Sequence, residues 1–294
     1  MKTRETPAFF LFDFDSTLIR SESLEELAAI SLRRHPEREA RLREIARLTE
    51  RAMAGTIPYQ EALVRRVALL EATRDHVAAL TKRLKRQISQ SVLRNKSFFR
   101  DNRERILVVS GGFDEVIVPV VERLGLTAGN VRANSLVYDD EGMVTGVDES
   151  NPLSRDDGKA ELIEALDPPR PAVIIGDGMT DHQARQRGAA DRFYAFTENV
   201  RREAVVRVAD GEIASFDEFL YRHKLPMAIS YPKSRIKVLL LENVHRDAVK
   251  ALREEGYGVD TVAGGLDETA LADRLEGVSI LGAVSYTHLT LPTN

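Results

Sequence analysis

The stretch that most restricts this chain's fold is residues 9–20, FFLFDFDSTLIR. The unbroken apolar run Phe9–Phe12 reads as a strand buried on both faces, the type found inside parallel sheets. It leads directly into two carboxylates one residue apart, Asp13 and Asp15, and then Ser16 and Thr17. A surface loop would not carry the first half, and a purely structural strand would not carry the second. A strand that ends at a chemical site carries both. Ile106–Val109 (ILVV) and Ala172–Ile175 (AVII) have the same form, each followed by Gly or Ser-Gly and then a helical pattern, and a shorter run, FYAF, lies at 193–196. In FDEVIVPVVERLGL, residues Phe113, Ile117, Val121 and Leu124 fall near one helical face, with Gly125 placed as a C-cap. Strands alternating with helices predict an α/β fold built on a parallel sheet. Ligands of such sheets bind beyond the carboxyl ends of the strands, where Asp13, Ser110 and Asp177 fall.

Residues 22–93 differ in composition, being rich in Glu, Arg, Leu and Ala. Leu24, Leu27 and Ala28, then Leu42, Ile45 and Ala52, keep helical spacing. Gly55 and Pro58 mark a break before a helix resumes in YQEALVRRVALL. The insertion is too long for a simple crossover, and a helical cap over the site, spanning about 20–93, is the expectation. Residues 1–221 are read as one domain with this cap, and 222–234, with Pro226 and Pro232, as a linker. Residues 235–282 read as β-α-β-α-β, a sheet at the margin of independent stability. The end, 283–294, matches neither pattern and is read as a non-native tail.

The bulk numbers exclude several functions. With 30% charged residues of both signs and a net charge of −4, nothing points to nucleic acid. The absence of cysteine removes disulfides, thiol catalysis and thiolate metal sites. No run approaches a membrane span and no signal peptide is evident, so a cytoplasmic setting is expected. The six histidines show no metal-ligand spacing.

The motifs ask for phosphoryl chemistry. A carboxylate such as Asp13 can attack phosphorus and form an acyl phosphate. It needs a cation to offset its repulsion from the phosphate and a proton donor for the leaving oxygen, for which Asp15 is placed. Ser110, with Gly111 and Gly112 read as a helix start, offers an anion site. Lys159, near another helix start, offers a fixed positive charge. Asp177 and Asp181, in GDGMTD, add hard oxygen ligands suited to Mg²⁺.

DFDSTLI, SGG, GK and GDGMTD resemble the four motifs of the haloacid dehalogenase superfamily of phosphohydrolases, over residues 8 to about 220. The resemblance implies a Rossmann-like parallel sheet with a cap after its first strand, Asp13 as nucleophile and Asp15 as acid and base. It further implies that Ser110 and Lys159 bind phosphate, and that Asp177 holds Mg²⁺ with Asp13 and the Asp15 carbonyl. DFDSTLIRSE followed by AMAGTIPYQEALVRRVALL is similar to the phosphoserine phosphatase family. That likeness implies that Glu22 meets the substrate ammonium, that Arg66 on a cap helix meets its carboxylate, and that Met53 and Tyr59 shape the pocket. Tyr59 stands where many members have Phe, and Thr180 where many have Asn. From the residues alone, Glu22 also fits an acidic first helical turn, and Arg66, beside Arg65, also fits a solvated face.

KVLLLENVHRDAVKALREEGYGVD and LDETALADRLEGVSILG resemble the first segment of the D-3-phosphoglycerate dehydrogenase family. Both families act in serine synthesis, which implies a fusion whose dehydrogenase part is truncated. No G-x-G-x-x-G follows a strand, so no NAD⁺ site is expected. The leading reading is a Mg²⁺-dependent phosphatase for L-phosphoserine. The rivals are a phosphatase or phosphotransferase for another small phosphomonoester, and an assembly role in which the C-terminal fragment self-associates or pairs with a dehydrogenase.

Overall fold

The computed structural model describes residues 6–228 and 236–284, in two units that part between Ala228 and Ile229. The expected linker, 222–234, is described only as far as 228, and the expected tail lies outside the described residues from 285 onward.

The first unit holds the strands β1 (Phe9–Phe12), β2 (Ile106–Phe113), β3 (Val131–Asn134), β4 (Leu136–Tyr138), β5 (Val144–Val147), β6 (Ala172–Gly176), β7 (Arg192–Phe196) and β8 (Gly211–Ile213). A six-stranded sheet, parallel as the alternation of strands and helices predicts, has the order β3-β2-β1-β6-β7-β8, and β4 and β5 form a separate antiparallel hairpin. The apolar runs mark the central strands. The short outer strands β3 and β8 and the hairpin carry no such run and were not expected.

Strand β1 is central, with Leu11 in register with Leu107 of β2 and Ile174 of β6. Phe10 and Phe12 pack into one core with Val108 and Ile175, while Leu11 packs into the other with Val109 and Ile174. The rings of Phe10 and Phe12 meet Phe98, Phe99, Phe216 and Phe219 at centroid distances from 5.1 to 6.1 Å. Burial of each ring contributes about 1.5–3 kcal/mol, so this cluster pins the strand that presents Asp13.

Between β1 and β2 lie α1 (Ser23–Ser31), α2 (Arg38–Met53), α3 (Tyr59–Ala68), α4 (Arg74–Leu84), α5 (Gln90–Arg94) and α6 (Lys96–Asp101). Gly55, at φ 68°, and Pro58 separate α2 from α3. The chain enters α1–α4 and leaves them side by side, and α5 and α6 follow on the return to the sheet. The Arg20 N–H donates to the Gln87 carbonyl and the Ser89 N–H to the Leu18 carbonyl, both at 2.9 Å. The remaining helices of this unit are α7 (Asp114–Val121), α8 (Gly158–Leu166), α9 (Met179–Gln186), α10 (Glu203–Val206) and α11 (Phe216–Arg222). Gly125, at φ 85°, ends the turn that extends α7, because a left-handed residue there costs glycine little.

The second unit runs β9 (Lys237–Leu240), α12 (Arg246–Glu254), β10 (Gly258–Thr261), α13 (Glu268–Leu275) and β11 (Ile280–Gly282), with a parallel sheet in the order β10-β9-β11. Val238 and Leu240 pack with Val249 and Leu252, and Leu239 with Leu271, so each helix covers one face. This is the expected β-α-β-α-β order. Among the described residues no helix is long and apolar enough to cross a membrane.

One buried acid makes the first unit sensitive to pH. Glu115, in the first turn of α7, accepts the Leu136 N–H at 3.1 Å. Burial, reinforced by the neighbouring Asp114, pushes its carboxyl up to about 7. The folded chain therefore keeps a proton that the unfolded chain has released, and stability falls as pH rises from about 5 to 7. Glu115→Gln should raise the melting temperature at pH 8 and change it little at pH 5. Equal shifts at both pH values would contradict this assignment.

Candidate active site

Asp13 follows β1 directly, and its N–H donates to the Ile175 carbonyl of β6 at 2.9 Å. Phe14–Leu18 then make one wide turn, closed by the Ile19 N–H on the Phe14 carbonyl at 3.1 Å. Within it Ser16 sits at φ 51°, a left-handed conformation that costs a non-glycine residue roughly 1–2 kcal/mol. Distant side chains hold the turn. The Asn199 amide donates to the Ser16 carbonyl at 2.9 Å and to Ser89 Oγ at 2.8 Å, and Ser89 Oγ donates to the Thr17 carbonyl at 2.7 Å. Sequence reasoning missed both residues.

The turn brings Asp15 to the same cavity as Asp13. The Ser23 N–H and hydroxyl each donate to one Asp15 oxygen at 2.9 Å. Burial, with the charges of Glu22 and Asp13 adding to it, holds the Asp15 carboxyl well above its ordinary value. It is therefore suited to carry a proton.

Lys159, the second residue of α8, donates to Asp13 Oδ1 at 3.0 Å and to Asp181 Oδ1 at 2.8 Å. Burial works to lower its pKa, but these two carboxylates outweigh it and keep the ammonium above its ordinary range. Burial pushes the Asp181 carboxyl up to about 6 against the pull of Lys159. Asp181 Oδ2 accepts the Gly178 N–H at 3.2 Å, so both oxygens of this expected metal ligand have partners within the protein. A Cβ on Gly176 would come within 2.1 Å of that oxygen, so glycine there admits the arrangement.

Asp177 follows β6. It accepts the Thr17 hydroxyl at 3.1 Å and pairs with Arg202, which also reaches Glu22 at 3.3 Å. Glu22 accepts the Ser16 hydroxyl at 2.7 Å as well. Arg202 was not foreseen, since it stands in NVRRE with no motif to distinguish it from Arg201. Gly111 and Gly112 end β2 rather than starting a helix, because the pairing with β3 shifts between Val109 and Phe113. The Gly112 N–H turns onto Ser110 Oγ at 3.0 Å.

Asp13, Asp15, Glu22, Met53, Tyr59, Arg66, Ser110, Gly111, Gly112, Lys159 and Thr180 line one cavity, while Asp177 and Asp181 stand outside its wall. Arg66 is 5% exposed and donates to Thr49 Oγ1 at 3.2 Å. Its neighbour Arg65 instead pairs at the surface with Glu61. The structure thus separates two arginines that local charge and periodicity leave alike, and the buried one is the one that the resemblance singles out. Burial pushes the Tyr59 phenol up to about 12, against the pull of Arg66 and Lys159, so it remains a donor.

Among the described residues no three His, Cys, Asp or Glu side chains converge as a metal site. The donor chemistry nevertheless fits a hard divalent cation, with Asp13 and Asp177 ending paired strands and a backbone carbonyl available in the turn after Asp13. The pairing of Arg202 with Asp177 shows that this carboxylate already draws a cation.

These groups stand at the carboxyl edge of a parallel sheet, where α/β folds place their ligand sites. Residues 10–186 match the model of the haloacid dehalogenase-like hydrolase family, and the chain belongs to that family. It is 32% identical to the human phosphoserine phosphatase over 71% of this chain and 90% of that one. A phosphoserine phosphohydrolase-like protein from Francisella tularensis superposes with a TM-score of 0.65 at 27% identity, covering 73% of this chain and 98% of that one. A structure described as a phospho-aspartyl intermediate analogue of phosphoserine phosphatase gives 0.60 at 26% identity, covering 74% and 99%. With these relatives, the chain is a phosphatase.

The Lys159 triad is the site's main buried electrostatic element. Asp181→Ala leaves Lys159 paired with Asp13 but strips it of its second carboxylate and leaves the buried Gly178 N–H without its acceptor. It should lower stability by about 1–3 kcal/mol in denaturant titration. A loss under 1 kcal/mol would show that Asp181 does not anchor Lys159.

Proposed function

We propose that the chain hydrolyses L-phosphoserine to L-serine and phosphate through an aspartyl-phosphate on Asp13, with Mg²⁺ as cofactor. The observation that carries this reading is one cavity holding Asp13 bonded to Lys159, a raised Asp15 beside it, and the buried Arg66 of the cap.

In the first half-reaction an Asp13 oxygen bonds to phosphorus and the phosphorus–ester oxygen bond breaks, with the Asp15 proton going to the departing serine oxygen. In the second, water bonds to phosphorus, its proton returns to Asp15, and the acyl-phosphate bond breaks to free Asp13. Lys159 offsets the negative charge around the transferred group. Ser110 and the end of β2 donate to its oxygens. Mg²⁺, which Asp13, Asp177 and the Asp15 carbonyl would hold, supplies charge neutralisation for the phosphoryl group.

Arg66 and Glu22 complement the carboxylate and ammonium of an amino-acid substrate, and this separates phosphoserine from other small phosphomonoesters. Met53 and Thr180 complete the pocket wall. A chain without cysteine suits a cytoplasmic enzyme. The second unit is read as a dehydrogenase-like fragment without an NAD⁺ site, and it supplies nothing to this chemistry.

The test is phosphate release from a panel of small phosphomonoesters, with Mg²⁺ and with a chelator. Phosphoserine should be preferred, and chelation should abolish turnover. Arg66→Ala removes a charge-assisted pair worth about 1.5–3 kcal/mol, so it should lower kcat/KM for phosphoserine by about 10- to 100-fold. It should spare a substrate without a carboxylate. Equal losses on both would contradict carboxylate recognition by Arg66.

A further inference from the structure

Helix α3 lacks a cap of its own. Its N-cap residue is Pro58, which has no side-chain acceptor, and no side chain of the preceding residues bonds its first turn. The first N–H groups of a helix have no partner within it and require an acceptor. Here the acceptor comes from the other side of the cavity. Asp156 Oδ1 accepts the N–H groups of both Tyr59 and Gln60, the latter at 3.2 Å. Asp156 lies three residues before Lys159.

A second tie lies beside the first. The Tyr59 hydroxyl donates to the Gly111 carbonyl at 2.9 Å, one residue beyond Ser110. A Cβ on Gly111 would sit 2.0 Å from that hydroxyl oxygen, so glycine at 111 is what allows the contact. Phe at position 59 would keep the ring and lose this bond.

Arg66 follows Tyr59 by seven residues, which returns to the same helix face after two turns. Tyr59 and Arg66 both line the cavity. The start of the helix that bears Arg66 is thus fastened to the two segments that bear Lys159 and Ser110. We infer that Asp156 and Tyr59 are positioning residues that fix the distance of Arg66 from the phosphate end, and so set the length of phosphomonoester the site accepts. A shift of α3 by one residue would move Arg66 by about 1.5 Å along the helix axis, about the length of one added methylene. This inference rests on the reading of Arg66 as the carboxylate-binding group.

The test uses the full chain with Tyr59→Phe, Asp156→Ala and both together. Hydrogen exchange of the substrate-free protein reads the tie directly. Asp156→Ala should speed exchange of the 59 and 60 amides by at least tenfold, and unchanged exchange would overturn the tie. Steady-state kinetics on phosphoserine, phosphoethanolamine and phosphohomoserine read the consequence. The double variant should lose at least tenfold in kcat/KM on phosphoserine, mostly in KM. Its loss on phosphoethanolamine, which has no carboxylate, should be at least fivefold smaller, and its activity on the longer phosphohomoserine should rise relative to phosphoserine. Equal losses on all three would show a merely structural role and overturn the inference. A wild-type chain with no preference for phosphoserine over phosphoethanolamine would overturn both the functional reading and this use of Arg66, while the exchange arm would still decide whether the tie exists.

Discussion

The site depends on one buried ammonium. Lys159 joins Asp13, at the end of β1, to Asp181, in the first turn of α9. Without it two carboxylates would face each other in a buried site with no cation between them. Lys159 also links segments far apart in sequence, since α8 presents it at the edge where β1 and β6 end. Desolvating three charged groups is costly, and a buried triad of this kind adds little net stability while it organises the edge of the sheet.

The rest of the fold holds that edge in place. The phenylalanine cluster behind β1 fixes the strand, and the turn after Asp13 is held by Asn199 and Ser89 from outside its own segment. The helical layer α1–α4 is entered and left side by side at Ile19 and Ile88, so its two covalent connections run together as one narrow stem. It is also tied by its backbone to the β4–β5 hairpin, where the Arg74 N–H donates to the Gly142 carbonyl at 3.1 Å and the Val144 N–H to the Ala72 carbonyl at 2.8 Å. Leu24, Leu27, Leu63 and Val67 share one apolar core with Phe10 and Val108 of the sheet, so the layer is held over the site by packing as well.

Much of this was legible in the sequence because the central strands of a doubly covered sheet are continuous apolar runs. Phe9–Phe12, Ile106–Val109 and Ala172–Ile175 announced themselves, and the groups just past them fell at the site. The outer strands β3 and β8 did not, since three or four residues of mixed character lack a period. Asn199, Ser89 and Arg202 escaped for a different reason. They act on Ser16, Thr17, Glu22 and Asp177 from positions 25 to 183 residues away, and nothing local in SQSV or ENVRRE encodes such a partner. The glycines at 111 and 112 were recognised as a site but misplaced as a helix start, because a shift in strand pairing cannot be read from composition. Arg66 was singled out by resemblance alone, and the fold adds the physical difference, since Arg66 is buried on the cavity and Arg65 pairs at the surface.

The central claim is that Asp13 carries the phosphoryl group between two half-reactions. Its most direct test is to mix the chain with phosphoserine and Mg²⁺, quench in acid within one turnover, and map the digest by mass spectrometry. The account predicts a phosphate on the peptide containing Asp13, labile to hydroxylamine as an acyl phosphate must be, and absent from Asp13→Asn. A phosphate on Ser110 or Asp15, or active turnover that never leaves phosphate on the chain, would contradict it.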